Sequence, residues 1–432
     1  MGRLRYELPR PKYSRGHAPE RSSTGSDPTD DPEPTPLNAR SEALDDEAHD
    51  FDTVLSRQGT ASTKWDRYRD RDVLPFWVAD MDFAVAAPIR RALQARLAHP
   101  VYGYTVAPDA LYEAVLAHLS KEYGWTVERD WLVWLPGVVP GLAASCRAFL
   151  ASGDEALVNP PIYHHFLDSH EEGRQGLLEV PLKKVDGRST YDVPAMRAAC
   201  TARTRLLMMC TPHNPTGTVF TVAELREIMA LAVERDLVVV SDEIHGDLVL
   251  DEGARHVPTA VACPDEAART ITLMSASKTW NIAGLNCSFA VIPDATLRER
   301  FRSGCRGLVP PVPPLAYEAT RAAYAEGGPW RAALLDYLRG NLRLVAERVA
   351  AMPGLRLEPL QATYLAWIDA TALGLDDTQG WFEARGAGLS AGEQFGQPGY
   401  LRLNFACPRA TLAAGLERMA RAADEAAAAR AR

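Results

Sequence analysis

Short apolar runs that each stop at a polar turn, with helical stretches between them, constrain this chain more than any other feature. Leu206 to Cys210 is one such run, and Thr221-Val-Ala-Glu224 after it has the form of a capping box opening a helix through about Arg235. Leu237 to Val240 is a second run, Ile271 to Met274 a third and Cys287 to Ile292 a fourth. Strands this short and apolar, spaced by helices, predict a mostly parallel sheet with helices on both faces. Arg269 to Met274 alternates like a half-buried strand. After Trp330 the spacing changes to a long amphipathic helix bearing Leu334, Leu338, Leu342, Val345 and Val349. Short alternating segments follow around Tyr364 to Ile368 and Leu401 to Phe405, so this region is expected to form a smaller α+β domain.

In such a sheet, ligands gather in the turns at the carboxyl ends of the strands. Only six of the 47 basic residues are lysine, and one of them, Lys278, lies in Ser275-Ala-Ser-Lys-Thr-Trp-Asn281 just past the third run. A partly desolvated lysine can become a neutral nucleophile that condenses with an aldehyde, which arginine cannot. Asp242 follows the second run, where a buried carboxylate needs a cationic partner. A protonated pyridine nitrogen is one such partner; a helix cap or an arginine is another. Asn214, in His213-Asn-Pro-Thr-Gly217, can donate to a phenolic oxygen, although Asn-Pro and Thr-Gly are also ordinary turn formers. Trp131 to Leu135 leads into Pro136-Gly137-Val138, a glycine turn into a helix N-terminus able to hold a phosphate, and Ser275 and Ser277 could donate hydroxyls to the same group. An amine for an imine, a carboxylate for a pyridinium, an amide for a phenolate and a turn for a phosphate together describe pyridoxal 5′-phosphate.

Asn214-Pro-Thr-Gly, Ser241-Asp-Glu-Ile-His245 and Ser275-x-Ser-Lys278, in that order, resemble the fold-type I aminotransferase superfamily. Lys64-Trp-Asp66, Leu74 to Phe83, Pro136 to Pro140, Ser275 to Leu285, Thr363 to Trp367 and Arg402 to Arg409 resemble its cystathionine β-lyase and cysteine-S-conjugate β-lyase branch. The likeness runs from about residue 51 to 425. It implies an α/β fold with a large domain over 87–328, built on a seven-stranded type of sheet, and a small α+β domain over 329–428 that also takes up residues 48–86. Lys278 would carry the cofactor, Asp242 would face the pyridinium nitrogen, and Asn214 and His245 would lie near the phenolic oxygen. Tyr163 resembles the aromatic that stacks on the ring, and Gly137, Val138, Ser275 and Ser277 resemble phosphate contacts. Tyr104 resembles a residue reaching the phosphate from a neighbouring subunit, implying a homodimer, with Tyr102 as the alternative. Arg402 resembles the clamp for the substrate carboxylate, a task for a bidentate guanidinium; the polar face of a strand is the plainer account of it.

The implied activity is β-elimination from cystathionine or another cysteine S-conjugate, giving pyruvate, ammonia and a thiol, as in methionine biosynthesis or conjugate breakdown. An aminotransferase, and a regulatory protein that binds the cofactor and docks through its N-terminal tail, are the competing readings. Bulk properties set limits on partners. Net charge is −9, which argues against nucleic acid as the main ligand. No apolar run approaches the ~18 residues of a membrane span, and the start lacks the apolar region of a secretory signal. Seven scattered cysteines without a Cys-x-x-Cys pair fit reduced thiols of a cytoplasmic protein, and His164, His165, His213 and His245 lack a zinc-type spacing, so no metal is expected. Residues 1–47, with basic then acidic blocks and Pro28, Pro32, Pro34 and Pro36, predict a disordered tail. Gly307 to Pro314 is proline-rich and is expected to vary with specificity.

Overall fold

A computed structural model describes residues 49–170 and 174–430 of the chain. The expected tail therefore lies outside the described residues. Seven strands form the main sheet: β1 (Leu132–Leu135), β2 (Glu155–Val158), β3 (Gly176–Glu179), β4 (Thr204–Cys210), β5 (Val238–Asp242), β6 (Thr270–Met274) and β7 (Ser288–Val291). Their order is β1-β7-β6-β5-β4-β2-β3, and only β7 runs against its neighbours. Leu206, Leu207, Met208 and Met209 of β4 are all fully buried, because helices cover both faces of the sheet. The same coverage corrects the reading of β6. All five of its residues are buried, since it is paired between β5 and β7 and has no solvent face.

The capping box forms as read. The Thr221 hydroxyl accepts from the Glu224 N–H, the Glu224 carboxylate accepts from the Thr221 N–H, and a helix, α1 (Val222–Glu234), follows. Register sets the site. Asp242 pairs with Cys210 on one side and Leu273 on the other, so the turns after β4, β5 and β6 leave one edge of the sheet together.

A four-stranded antiparallel sheet follows, containing Arg356–Leu357, Leu365–Asp369, Ser390–Ala391 and Tyr400–Asn404. The two central strands are buried nearly throughout instead of alternating. Their apolar side chains, among them Leu365, Leu401 and Leu403, share a core with Leu334, Leu338, Leu412 and Leu416 of the long helices α2 (Gly328–Ala350) and α3 (Arg409–Arg430). The segment Trp77 to Asp80 lies on the same sheet. Its carbonyls at Trp77, Val78 and Asp80 accept from Arg402 and Asn404. In α2, Leu342 is only half-buried, and the inward position beside it belongs to Asn341. The Asn341 amide donates to the carbonyls of Phe405 and Cys407, 2.9 Å each, so a polar residue fills a place that periodicity assigns to leucine.

Candidate active site

The turn after β6 carries Lys278, whose Nζ donates to the Ala79 carbonyl at 2.9 Å. The Tyr364 hydroxyl donates to the same carbonyl at 3.1 Å. Burial pulls the Lys278 amine down to about 8, with the Arg402 guanidinium adding repulsion and the carboxylates of Asp80 and Asp242 opposing the shift. An amine with that value has an appreciable neutral fraction near pH 7 and can act as a nucleophile or a base.

Asp242, at the end of β5, is 4% exposed and accepts one backbone hydrogen bond, from Ile244 at 3.1 Å. Burial pushes its carboxyl up to about 7, which the Ile244 N–H and the charge of Lys278 only partly offset. A carboxylate held so deep with no ion-pair partner at bonding distance among the described residues is suited to a buried cation supplied from outside the chain. His245, three residues on, is buried with Nδ1 unpartnered among the described residues, and burial lowers it to about 3, so it is neutral.

Arg402 is 5% exposed, which excludes the solvent-facing alternative for this strand residue. Nη1 donates to Asn214 Oδ1 at 3.0 Å and Nη2 to the Trp77 carbonyl at 2.9 Å, while Nε has no partner among the described residues. The guanidinium also lies over the Phe395 ring, 4.6 Å from its centroid. Because Asn214 accepts through Oδ1, its NH₂ group stays available to donate. Asn214 is placed by its turn: Gly217 adopts φ +68°, and a Cβ there would meet Leu360 Cγ at 2.6 Å. Tyr163 precedes a short helix and packs against the cluster of Trp367, Phe395 and Tyr400. Burial pushes its hydroxyl up, with the charge of Arg402 opposing the shift and that of Asp242 adding to it.

Gly137 and Val138 begin the helix Val138–Phe149, whose N-terminus has no side-chain cap, so its N–H groups remain free for an anion. Ser275 departs from the reading as a hydroxyl donor. Its Oγ donates to the Cys287 carbonyl at 2.7 Å and accepts from the Ser277 N–H at 3.0 Å, so it shapes the turn and its proton is already committed. Ser277 is half-buried beside it. Tyr104 is wholly exposed at 108%, whereas the Tyr102 hydroxyl is tied to the Leu97 carbonyl at 3.0 Å. Neither tyrosine joins the cluster around Lys278 within this chain. Trp280 and Trp367 are core residues. Ala79, Asp80, Tyr364 and Ser390, whose Oγ accepts from Arg402 Nη2 at 3.3 Å, also belong to the site and were not among the expected residues. Tyr364 and Ala79 lie inside strings quoted above, but a carbonyl that holds an amine leaves no trace in residue type.

A buried carboxylate without a counterion among the described residues, a lysine stripped of part of its proton affinity, an amide with free donors and an uncapped helix N-terminus fit pyridoxal 5′-phosphate group by group. Together with the sheet they define a fold-type I enzyme dependent on that cofactor. The chain belongs to the aminotransferase class I and II family, whose profile matches residues 72–419. It is 35% identical over 385 residues to the cystathionine beta-lyase PatB of Bacillus subtilis (strain 168), covering 85% of this chain and 98% of that one. The crystal structure of OvoB superposes with a TM-score of 0.85 at 43% identity, covering 87% of this chain and 99% of the other. The pyridoxal-phosphate-bound C-S lyase from Staphylococcus hominis superposes with a TM-score of 0.81 at 31% identity, covering 87% and 98%.

Proposed function

We propose that this protein is a carbon–sulfur β-lyase that cleaves cystathionine or another cysteine S-conjugate to pyruvate, ammonia and a thiol. The observation that carries the reading is that Lys278 and Arg402 donate to the Ala79 and Trp77 carbonyls of one segment, while Asp242, a buried carboxylate with no ion-pair partner among the described residues, feels the charge of Lys278. The names of the relatives, a cystathionine beta-lyase and a C-S lyase, point the same way.

Arg402 binds the substrate α-carboxylate. Although burial lowers it to about 10, it stays charged at neutral pH. Lys278 in its neutral form takes the Cα proton, and the Ala79 carbonyl aims its nitrogen. When bound, pyridoxal phosphate supplies an electron sink for the charge left at Cα. Asp242 would hold the ring nitrogen protonated, Asn214 and His245 would flank the phenolic oxygen, Tyr163 would stack, and Gly137, Val138 and Ser277 would contact the phosphate. The thiolate leaves with little help from an acid, since a thiol near 8.5 is a good leaving group. We place the small domain in residues 48–86 with 329–428 and the large one in 87–328, and assign the enzyme to the cytoplasm as a homodimer in which Tyr104 serves the neighbouring site.

Purified protein given cystathionine, cystine and an S-alkylcysteine, without any keto acid, should release pyruvate and ammonia in equal amounts together with a thiol. Turnover that requires a keto-acid acceptor would return the chain to the aminotransferases.

A further inference from the structure

The segment from Trp77 to Phe83 crosses the site, and its bonds come from three directions. Asn281, three residues past Lys278, accepts from the Met81 N–H at 2.9 Å and donates to the carbonyls of Met81 and Phe83 at 3.1 and 2.9 Å. Asn404, two past Arg402, donates to the carbonyls of Val78 and Asp80 at 2.6 Å each. From the third side come Arg57 and Lys64. Arg57 bonds Asp80 and Asp82 at 2.7 Å each, and Lys64 bonds Asp82 at 2.7 Å and lies 3.7 Å from Asp80. The Lys64 side chain is fully buried against these carboxylates. Two cations against two anions leave this group neutral as a whole. Asp80 sits one peptide from the carbonyl that holds the Lys278 amine.

We propose that Arg57, Lys64, Asp80 and Asp82 form a charge-balanced clamp that seats the Ala79 carbonyl on Lys278 and sets how firmly that nitrogen keeps its proton. These four are positioning residues, acting through the segment they hold. The proposal rests on Lys278 carrying the cofactor and not on which reaction follows. The other groups facing that nitrogen are Asp242 and Arg402, Tyr364, whose hydroxyl donates to the same Ala79 carbonyl, and His245 and His165, both shifted toward the neutral form by burial. A clamp that is neutral only by cancellation has a signature that packing alone lacks: removing an anion and removing a cation must act in opposite senses.

The test is a pH titration of the cofactor's absorbance band in the purified holoenzyme, whose midpoint reports the proton on the Lys278 nitrogen. Asp80→Asn leaves the clamp with excess positive charge and should lower the midpoint by about one unit. Arg57→Gln leaves excess negative charge and should raise it by a similar amount. Arg57→Lys, which keeps the charge, should restore the native midpoint. Midpoints that stay put, or that move the same way in both variants, overturn the clamp. Should Asp80→Asn fail to accumulate, Arg57→Gln, at a partly exposed position, still decides the sign. Lys278→Ala is the control: a pH-dependent band that survives it would refute Lys278 as the attachment point, which is a separate failure.

Discussion

Asp242 is the residue whose energetics are most at odds with its surroundings. Its folded-state value of about 7 lies above the ordinary 3.8, so the folded chain holds a proton that the unfolded chain has lost between those pH values. Stability of the cofactor-free protein therefore falls as pH rises through that window, by roughly 4 kcal/mol in all. Asp242→Asn should raise the thermal midpoint of the cofactor-free protein at pH 8, the gain vanishing near pH 4, while abolishing turnover. A variant less stable at pH 8 would mean the carboxylate is paired within the chain. His213 and His245, lowered to about 3, and His164, lowered to about 4, act in the opposite sense: their stability is present above about 6.5 and is lost as pH falls. Lys278 sets the rate profile of cofactor uptake. With its amine at about 8 in the cofactor-free protein, uptake of pyridoxal phosphate should speed up between pH 7 and 9 and then level, and an uptake rate flat across that range would exclude its neutral form as the nucleophile. Lys278, Asp242 and Asn214 are legible because each is a scarce or polar residue type in or beside a turn that follows an apolar run, whereas Arg402, in mid-strand, is legible only through the family resemblance. Ala79 is not, since its contribution is a backbone carbonyl.

Elements show the same division between local and distant causes. The capping box of α1 could be read because both partners lie within four residues, and Thr221→Ala should cost about 1 kcal/mol. The inward Asn341 of α2 could not, because its partners lie 64 and 66 residues further along. Asn341→Leu restores the apolar periodicity yet leaves two buried carbonyls without donors. A loss of about 1–3 kcal/mol per carbonyl is expected in urea unfolding, and a stabilised variant would show that these bonds are dispensable. Strand β6 departs from its sequence pattern for a related reason. Its Thr residues give an alternating pattern, but with β5 and β7 on either side both its faces are covered, and burial follows sheet position instead of residue polarity.

At the scale of the whole molecule, the order of apolar runs and helices was enough to give a mostly parallel sheet. It could not give the antiparallel β7, whose direction depends on how the chain returns after Asn286. The family match spans residues 72–419, and the groups assembled around Lys278 lie between Trp77 and Arg402. Deleting residues 1–47 should therefore leave turnover of a cysteine conjugate unchanged; a loss would make the N-terminal extension part of the catalytic unit. Everything else depends on where the cofactor is attached. Borohydride reduction of the yellow holoenzyme followed by peptide mass mapping should place a single pyridoxyl-phosphate adduct on the peptide containing Lys278. An adduct on any of the other five lysines, or none, would contradict the account.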